Sequence, residues 1–237
     1  MGKGLESPYS SGEPNWDTLY RARGNDIEKA RPFFTGDVFT DLQLPGSTGT
    51  TKARSVIILQ HPCSMRTDGV NLAWQILVAE VKDRKPIDEQ GWVNGNYNLM
   101  PLPDINPEAN NKSRNQAANF DNLYTIAPNL MTSRIASLSP FGVNLLLQRW
   151  VHYNSRVVVP TDTFHEQTVA FYEEADLIEE WCEGLGSADL QAETQACLDW
   201  LRTDRDGSTF QEMLKNKQSR STIRQAMRKE LRNRNRA

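Results

Sequence analysis

The pattern of apolar residues changes once along this 237-residue chain, close to Leu138. Before that residue, short apolar runs separated by turn-forming residues predict β strands. After it, apolar residues recur every three or four positions, which predicts amphipathic helices. We therefore expect an α+β protein, in which a small, strongly bent β-sheet or barrel precedes a C-terminal helical region.

Three segments are predicted from this pattern. Residues 1–35 form a lead-in segment with a short helix at 16–23, residues 36–138 a β-rich, barrel-like domain, and residues 139–237 a helical extension with a basic tail. The expected strands cover residues 36–44, 54–60, 74–81, 97–102, 120–127 and 134–138, and residues 106–119 are expected to form a long surface loop. The expected helices begin at Ser139-Pro140, at a capping box over 163–166, at residue 187 and at residue 208.

Several classes of protein are excluded by composition. No apolar run approaches the roughly 18 residues that span a bilayer, so we expect no contact with a membrane. The three cysteines, Cys63, Cys182 and Cys197, form no framework, and no apolar signal segment precedes them. Reduced thiols in the cytoplasm are therefore expected. Metal-ligand spacings of the Cys-x-x-Cys or His-x3–5-His kind are absent, and neither a metal nor a cofactor is expected.

Charge is distributed unevenly along the helical extension. Residues 161–200 contain eleven acidic residues and no lysine or arginine, whereas residues 215–237 contain nine basic residues and one acidic residue. The basic tail either packs against the acidic helices or remains solvated, or it is an arm that binds nucleic acid phosphates. The second hypothesis assigns nucleic-acid binding to Arg220, Arg224, Arg228, Lys229 and Arg232.

Reactive side chains are concentrated where one apolar strand ends. The run Ser55-Val56-Ile57-Ile58-Leu59 predicts a buried strand, and His61, Cys63, Ser64 and Arg66 follow it within seven residues. A histidine or an arginine near Cys63 is able to favour its thiolate, although a small buried cysteine at a strand end is an alternative. This segment is therefore a candidate for nucleophilic chemistry.

A curled sheet would bring this segment close to a second one. The polar loop 45–54 carries Lys52 and Arg54, and we expect it to share one rim with residues 61–66 if the sheet closes. A histidine on that rim would act as a base toward a ribose 2′-hydroxyl, and an arginine would stabilise charge on phosphorus. We therefore predict Arg54, His61, Cys63, Ser64 and Arg66 as catalytic residues, with Lys52 contacting nucleic acid.

One known family shares part of this pattern. Gly36-Asp37-Val38, followed by a polar loop, a basic residue and the aliphatic run Val56-Ile57-Ile58-Leu59, resembles the opening of the PemK/MazF toxins over about residues 36–81. The resemblance implies an SH3-like barrel, endoribonuclease activity, and a dimer bound by an antitoxin. It places Arg54 where the family's second strand begins, although Ser55 stands where a proline is usual, and it makes Asp37 structural or peripheral.

Two functions remain as hypotheses. In the first, the protein binds or cleaves nucleic acid within a bacterial toxin–antitoxin or phage-defence system, and RNA is the expected substrate. In the second, it is a non-catalytic adaptor whose barrel and charged helices bind protein partners. A cysteine hydrolase using Cys63 is a third possibility. The oligomeric state is left open, and an oligomer is compatible with each hypothesis.

Overall fold

The chain forms strands up to residue 138 and mainly helices after it, which confirms the predicted α+β class. The structure, a computed structural model, describes residues 4–46, 49–66, 71–109 and 114–235. The strands are β1 (Tyr9–Ser10), β2 (Glu13–Pro14), β3 (Tyr20–Arg23), β4 (Asp37–Pro45), β5 (Thr51–Ile58), β6 (Ile76–Asp83), β7 (Leu99–Leu102), β8 (Gln116–Ile126) and β9 (Ser133–Leu138). The helices are α1 (Pro62–Met65), α2 (Glu89–Asn94), α3 (Pro140–Ser155), α4 (Thr161–Leu185), α5 (Leu190–Arg202), α6 (Phe210–Met213) and α7 (Arg220–Arg234).

Seven strands make one curled antiparallel sheet in the order β3-β9-β4-β5-β6-β8-β7, and β1 pairs with β2 separately. The hairpin of β5 and β6 lies at the centre of this order. Its middle residues, Val56 to Ile58 on β5 and Val78 and Ala79 on β6, are all fully buried. Because apolar side chains from both faces are covered, this hairpin is the rigid core of the sheet.

Contacts within the chain define two compact units. The first comprises residues 1–27 and 34–165, and the second comprises residues 28–33 and 166–237. The first unit therefore includes the sheet, α3 and much of the predicted lead-in segment. Helix α3 begins as predicted, since the Ser139 side chain accepts a hydrogen bond from the Gly142 N–H at 3.0 Å. A Cβ on Gly142 would lie 2.2 Å from the Leu19 carbonyl oxygen, so this close approach requires glycine.

A buried arginine joins α3 to the loop before β7. Arg149 is fully buried, and its guanidinium donates hydrogen bonds to the carbonyl oxygens of Trp92, Gly95, Asn96 and Leu99 at 2.6–3.2 Å. Burial lowers the pKa of Arg149 to about 10, which leaves the side chain charged at neutral pH. The four carbonyl oxygens together supply the hydrogen bonds that a buried cation requires.

In the second unit, α4 and α7 bury an apolar face and pair their charges. Trp181, Cys182, Ile223, Met227 and Leu231 are buried. Within this unit, the Arg31 guanidinium lies 2.5 Å from an Asp176 oxygen and 2.8 Å from a Glu179 oxygen. None of the helices in the described part of the chain combines the length and hydrophobicity needed to cross a lipid bilayer.

Several predicted elements differ from those observed. Residues 20–23 form β3 rather than the end of a helix, because Tyr20 pairs with Leu138 of β9. Helix α4 begins at Thr161, so the predicted capping box at 163–166 is wrong. Strand β8 begins at Gln116, inside the predicted loop 106–119, and residues 110–113 of that loop lie outside the described part of the chain.

Candidate functional site

Charged side chains meet where β5 begins and β6 ends. In the antiparallel register, Ser55 pairs with Val81 and Val56 pairs with Glu80. Because side chains alternate between faces, Lys52 and Arg54 share one face of β5, and Glu80 and Lys82 share a face of β6. They line a cleft of about 410 Å³ together with Thr40 and Asp83, and we call it the charged cleft.

A buried carboxylate lies at the centre of the charged cleft. The Glu80 side chain is 3% exposed, and its two oxygens bind different cations. The Arg54 guanidinium, 16% exposed, contacts Oε1, and the Lys82 Nζ lies 2.9 Å from Oε2. A carboxylate buried to this extent requires such partners, since an unpaired buried charge is strongly unfavourable.

Sequence reasoning missed Glu80, although a signal was present. The residue lies within the strongly apolar segment Ile76-Leu77-Val78-Ala79-Glu80-Val81, where a charge is unexpected. Its partner Arg54 was predicted as a site residue, and a basic residue opposite a buried acid is the pairing that such a charge needs. The strand register that makes the two adjacent depends on the fold.

Hydroxyl groups form another wall of the charged cleft. The Ser55 hydroxyl donates a hydrogen bond to the Thr40 hydroxyl over 3.1 Å. The β4–β5 register shifts between Phe39 and Leu42, and Asp41 adopts a left-handed conformation at φ 63°. This bulge places Thr40 and Asp41 beside the charged side chains.

A thiol and an imidazole meet at the opposite end of the same hairpin. His61 and Cys63 follow β5 directly, and the His61 Nδ1 lies 2.9 Å from the Cys63 Sγ. The Ser64 hydroxyl lies 3.9 Å from the same sulfur, and Cys63 is exposed. We call His61, Cys63 and Ser64 the thiol site.

The thiol site is held by hydrogen bonds to its neighbours. The Gln60 side chain accepts from the Leu77 N–H at 3.0 Å and donates to the Ser64 carbonyl oxygen at 2.7 Å. The Ala73 N–H donates to the Met65 carbonyl oxygen at 2.7 Å. These bonds tie the segment after β5 to the residues before β6, and they fix the position of Cys63.

The state of the imidazole follows from its surroundings. The Cys63 N–H donates to the His61 Nδ1 at 3.3 Å, so this nitrogen is an acceptor and the neutral ring carries its proton on Nε2. Burial lowers the pKa of His61, whose ordinary value is near 6.5. The ring is therefore predominantly neutral at pH 7 and able to accept a proton.

The residues predicted to share one rim lie instead at two separate sites, the charged cleft and the thiol site. Ile58, at the end of β5, lies four positions after Arg54, which is roughly 13 Å along an extended strand. Lys52 and Arg54 therefore lie in the charged cleft, whereas His61, Cys63 and Ser64 lie beyond the other end of the strand. Arg66 follows α1 and pairs with Leu72 in a single β-bridge. Residues 47 and 48 of the loop 45–54 lie outside the described residues.

The predicted nucleic-acid residues of the tail lie on α7, where three of them form ion pairs. Arg220 and Arg224 contact Glu173 at 3.4 and 3.5 Å, and Arg228 contacts Glu180 at 2.9 Å. This is the packing against acidic helices that the charge distribution suggested. Two further predicted residues, Lys229 and Arg232, are exposed and form no ion pair within the described residues.

Neither a metal site nor a known family emerges from the structure and the comparisons. Within the described ranges, no three histidine, cysteine, aspartate or glutamate side chains are grouped as a metal ion would require. No protein-family model matches the chain, and no curated protein is significantly similar to it. The geometry of the two sites is therefore the basis for a functional proposal.

Proposed function

We propose that the protein binds single-stranded RNA and cleaves it in the charged cleft, in the cytoplasm of a bacterium and as part of a toxin–antitoxin or phage-defence system. The observation that carries this proposal is the Glu80 carboxylate held between Arg54 and Lys82 in an open cleft. A base flanked by two cations is suited to cleaving a phosphodiester, because the reaction removes a proton and develops negative charge.

In this mechanism Glu80 accepts the proton of the ribose 2′-hydroxyl. The 2′-oxygen then attacks the adjacent phosphorus, and the bond from phosphorus to the 5′-oxygen breaks. Arg54 stabilises the charge on the phosphoryl oxygens, and the Lys82 ammonium donates a proton to the leaving 5′-oxygen. The products are a 2′,3′-cyclic phosphate and a 5′-hydroxyl, and the sequence of steps requires no metal.

The charge balance of the cleft favours contact with one or two phosphates. Lys52, Arg54 and Lys82 are opposed there by three acidic residues, Asp41, Glu80 and Asp83. A long cationic groove would make binding depend steeply on salt, since each neutralised phosphate releases counterions. We therefore expect a weak dependence on salt, with a slope of about −0.7 to −1.4 in log affinity against log salt.

The resemblance to PemK/MazF toxins supports the same site. The curled antiparallel sheet is compatible with an SH3-like barrel, and we include that finer fold in the proposal. Arg54, which the resemblance places at the start of the family's second strand, lies in the charged cleft near the start of β5. An antitoxin partner and a dimer belong to the proposal on the same basis.

Cleavage of labelled RNA tests the proposal. Purified protein is incubated with 5′-labelled single-stranded RNA of mixed sequence in the presence of a metal chelator, and binding and cleavage are read separately. We expect Glu80→Gln to retain binding but lose cleavage, and Arg54→Gln to lose both. Lys85→Gln removes one charge from an exposed position outside the cleft and is the matched control. Cleavage by Glu80→Gln at the unchanged rate would refute the assignment.

The adaptor hypothesis is favoured by one observation of its own. Trp74 is 81% exposed, in the segment between the thiol site and β6, and large exposed aromatic side chains are enriched where proteins bind each other. Trp74→Ala would then release a bound protein, whereas Leu130→Ala, at another exposed apolar position, would not. Absence of RNA binding, together with this selective loss, would favour the adaptor.

A further inference from the structure

We infer that Cys63 is a site of reversible S-thiolation, at which His61 promotes exchange of the thiol with a small-molecule disulfide. Three features lead to this inference: the exposure of Cys63, the 2.9 Å separation of its Sγ from the His61 Nδ1, and the hydrogen bonds that fix both residues. The site lies at the other end of the hairpin from the charged cleft. It is therefore an activity beyond the proposed RNA cleavage.

The reaction balances without any further oxidant. The Cys63 thiol transfers its proton to the His61 Nδ1, which releases the hydrogen bond from the Cys63 N–H as it takes the proton. The thiolate then attacks one sulfur of a disulfide written R–S–S–R. A new bond forms between Cys63 and that sulfur, the original S–S bond breaks, and the leaving thiolate takes the proton back from His61. The products are the mixed disulfide on Cys63 and one molecule of R–SH.

Hydrogen bonding at the site favours disulfide exchange over acyl transfer. Acyl transfer requires N–H groups that are free to stabilise an oxyanion next to the nucleophile. Here the N–H groups of Ser64 and Met65, which follow the nucleophile, donate to the His61 carbonyl oxygen at 2.9 and 3.0 Å. Attack on a disulfide produces no oxyanion, so it does not require these N–H groups, which already donate hydrogen bonds.

The other cysteines provide an internal comparison. Cys182 and Cys197 are buried in the second unit, and burial raises the pKa of both thiols. A buried thiol with a raised pKa reacts slowly, because the thiolate is the nucleophile. Neither thiol is accessible for resolving a mixed disulfide on Cys63. The adduct should therefore persist until an external thiol removes it.

The size of the expected rate enhancement can be related to the fraction of a thiol that is present as thiolate. An unassisted thiol with a pKa near 8.5 is only about 3% ionised at pH 7, so a base that captures its proton accelerates exchange by at most about 30-fold. Nucleophilicity falls as the thiolate becomes less basic, with a Brønsted slope of about 0.4–0.5, which reduces the largest gain to about 3- to 4-fold. We therefore expect Cys63 to react with glutathione disulfide about 3-fold faster than N-acetylcysteine amide does at pH 7.

The experiment uses the full chain with glutathione disulfide as the probe. Intact-mass spectrometry follows the adduct with time from pH 6 to pH 9, and peptide mapping locates it. Cys63→Ser should remove the adduct. His61→Asn keeps an acceptor for the Cys63 N–H but lacks the base, and it should be about 3-fold slower at pH 7. Ser64→Ala, beside the same sulfur, is the matched control and should retain the rate.

Each outcome supports or overturns the inference. A rate difference between wild type and His61→Asn that disappears near pH 9 supports it, because hydroxide then replaces His61 as the base, and equal rates there show that Cys63 remains accessible in the variant. The inference is overturned if wild type and His61→Asn react at equal rates at pH 7, or if Cys63 reacts no faster than N-acetylcysteine amide. Modification of Cys182 or Cys197 in the native protein contradicts the selectivity on which it depends.

Discussion

We expect the charges of Arg54 and Glu80 to favour the folded state only when both are present. Breaking a buried pair by removing one partner costs about 3–5 kcal/mol, because the remaining charge stays buried without compensation. Here Lys82 remains 2.9 Å from Glu80 and the Arg54 side chain is 16% exposed, which lowers the expected cost. We expect Arg54→Met to lower the free energy of unfolding of the first unit by about 2–3 kcal/mol.

Replacing both partners should recover most of this loss. Arg54→Met combined with Glu80→Leu leaves neither charge, and two apolar side chains of similar size are often as stable as a buried ion pair. We expect the double variant to lie within about 1 kcal/mol of wild type, so the second substitution recovers at least about 1–2 kcal/mol of the loss caused by Arg54→Met.

Urea denaturation measures the effect. For a slope of about 2 kcal/mol/M, Arg54→Met should move the midpoint of the first unit down by about 1 M. The chain has two units, so the transition is followed by probes in the sheet as well as by total helix content. Lys85→Met, at an exposed position, is the control. The reasoning is refuted if Arg54→Met shifts the midpoint no more than this control, or if the double variant is no more stable than Arg54→Met.

Three further predictions concern other parts of the chain. Arg149→Met should lower the unfolding free energy by about 3–5 kcal/mol in urea denaturation, because two buried and two part-buried carbonyl oxygens lose a charged donor. The pKa of His61 is lower in the folded protein than its unfolded value near 6.5. The contribution of His61 to stability is therefore present above pH 6.5 and is lost as the pH falls. In thermal denaturation, wild type should lose stability relative to His61→Asn between pH 7 and pH 5. Lys229→Gln combined with Arg232→Gln should leave the melting temperature unchanged, and if the tail binds RNA it should weaken retention and reduce the magnitude of the salt slope by about 1.4.

The regular parts of the fold were predictable because local pattern determines them. Apolar runs indicated β5 and β6, and Ser139-Pro140 indicated the start of α3. The short elements were not predictable in this way. Helix α1 has four residues and shows no periodicity, and β3 became a strand through pairing with β9. Their conformation depends on distant partners, which a local pattern does not encode.

Single residues of the two candidate sites, among them Arg54, His61 and Cys63, were identified from the sequence, but Glu80 and the grouping of the residues were not. His61 and Cys63 are two positions apart, and their contact follows from the turn that Pro62 begins. Arg54 was identified without its partner, since Glu80 lies 26 positions later and meets it only through the strand register. The predicted single rim would form only if the sheet brought both ends of β5 together. Because β5 is extended, its two ends lie apart.

The separation along β5 leads to a last prediction, that S-thiolation of Cys63 leaves RNA cleavage unchanged. The apolar residues between the two sites, including Val56 and Ile58, are fully buried, so a modification at one end has no evident route for moving Glu80 at the other. Cleavage is measured with untreated protein, with protein carrying the glutathione adduct, and with adduct removed by a reducing thiol. Equal rates are expected. A reversible change confined to the adduct would show that the hairpin has two arrangements and that both sites bias them.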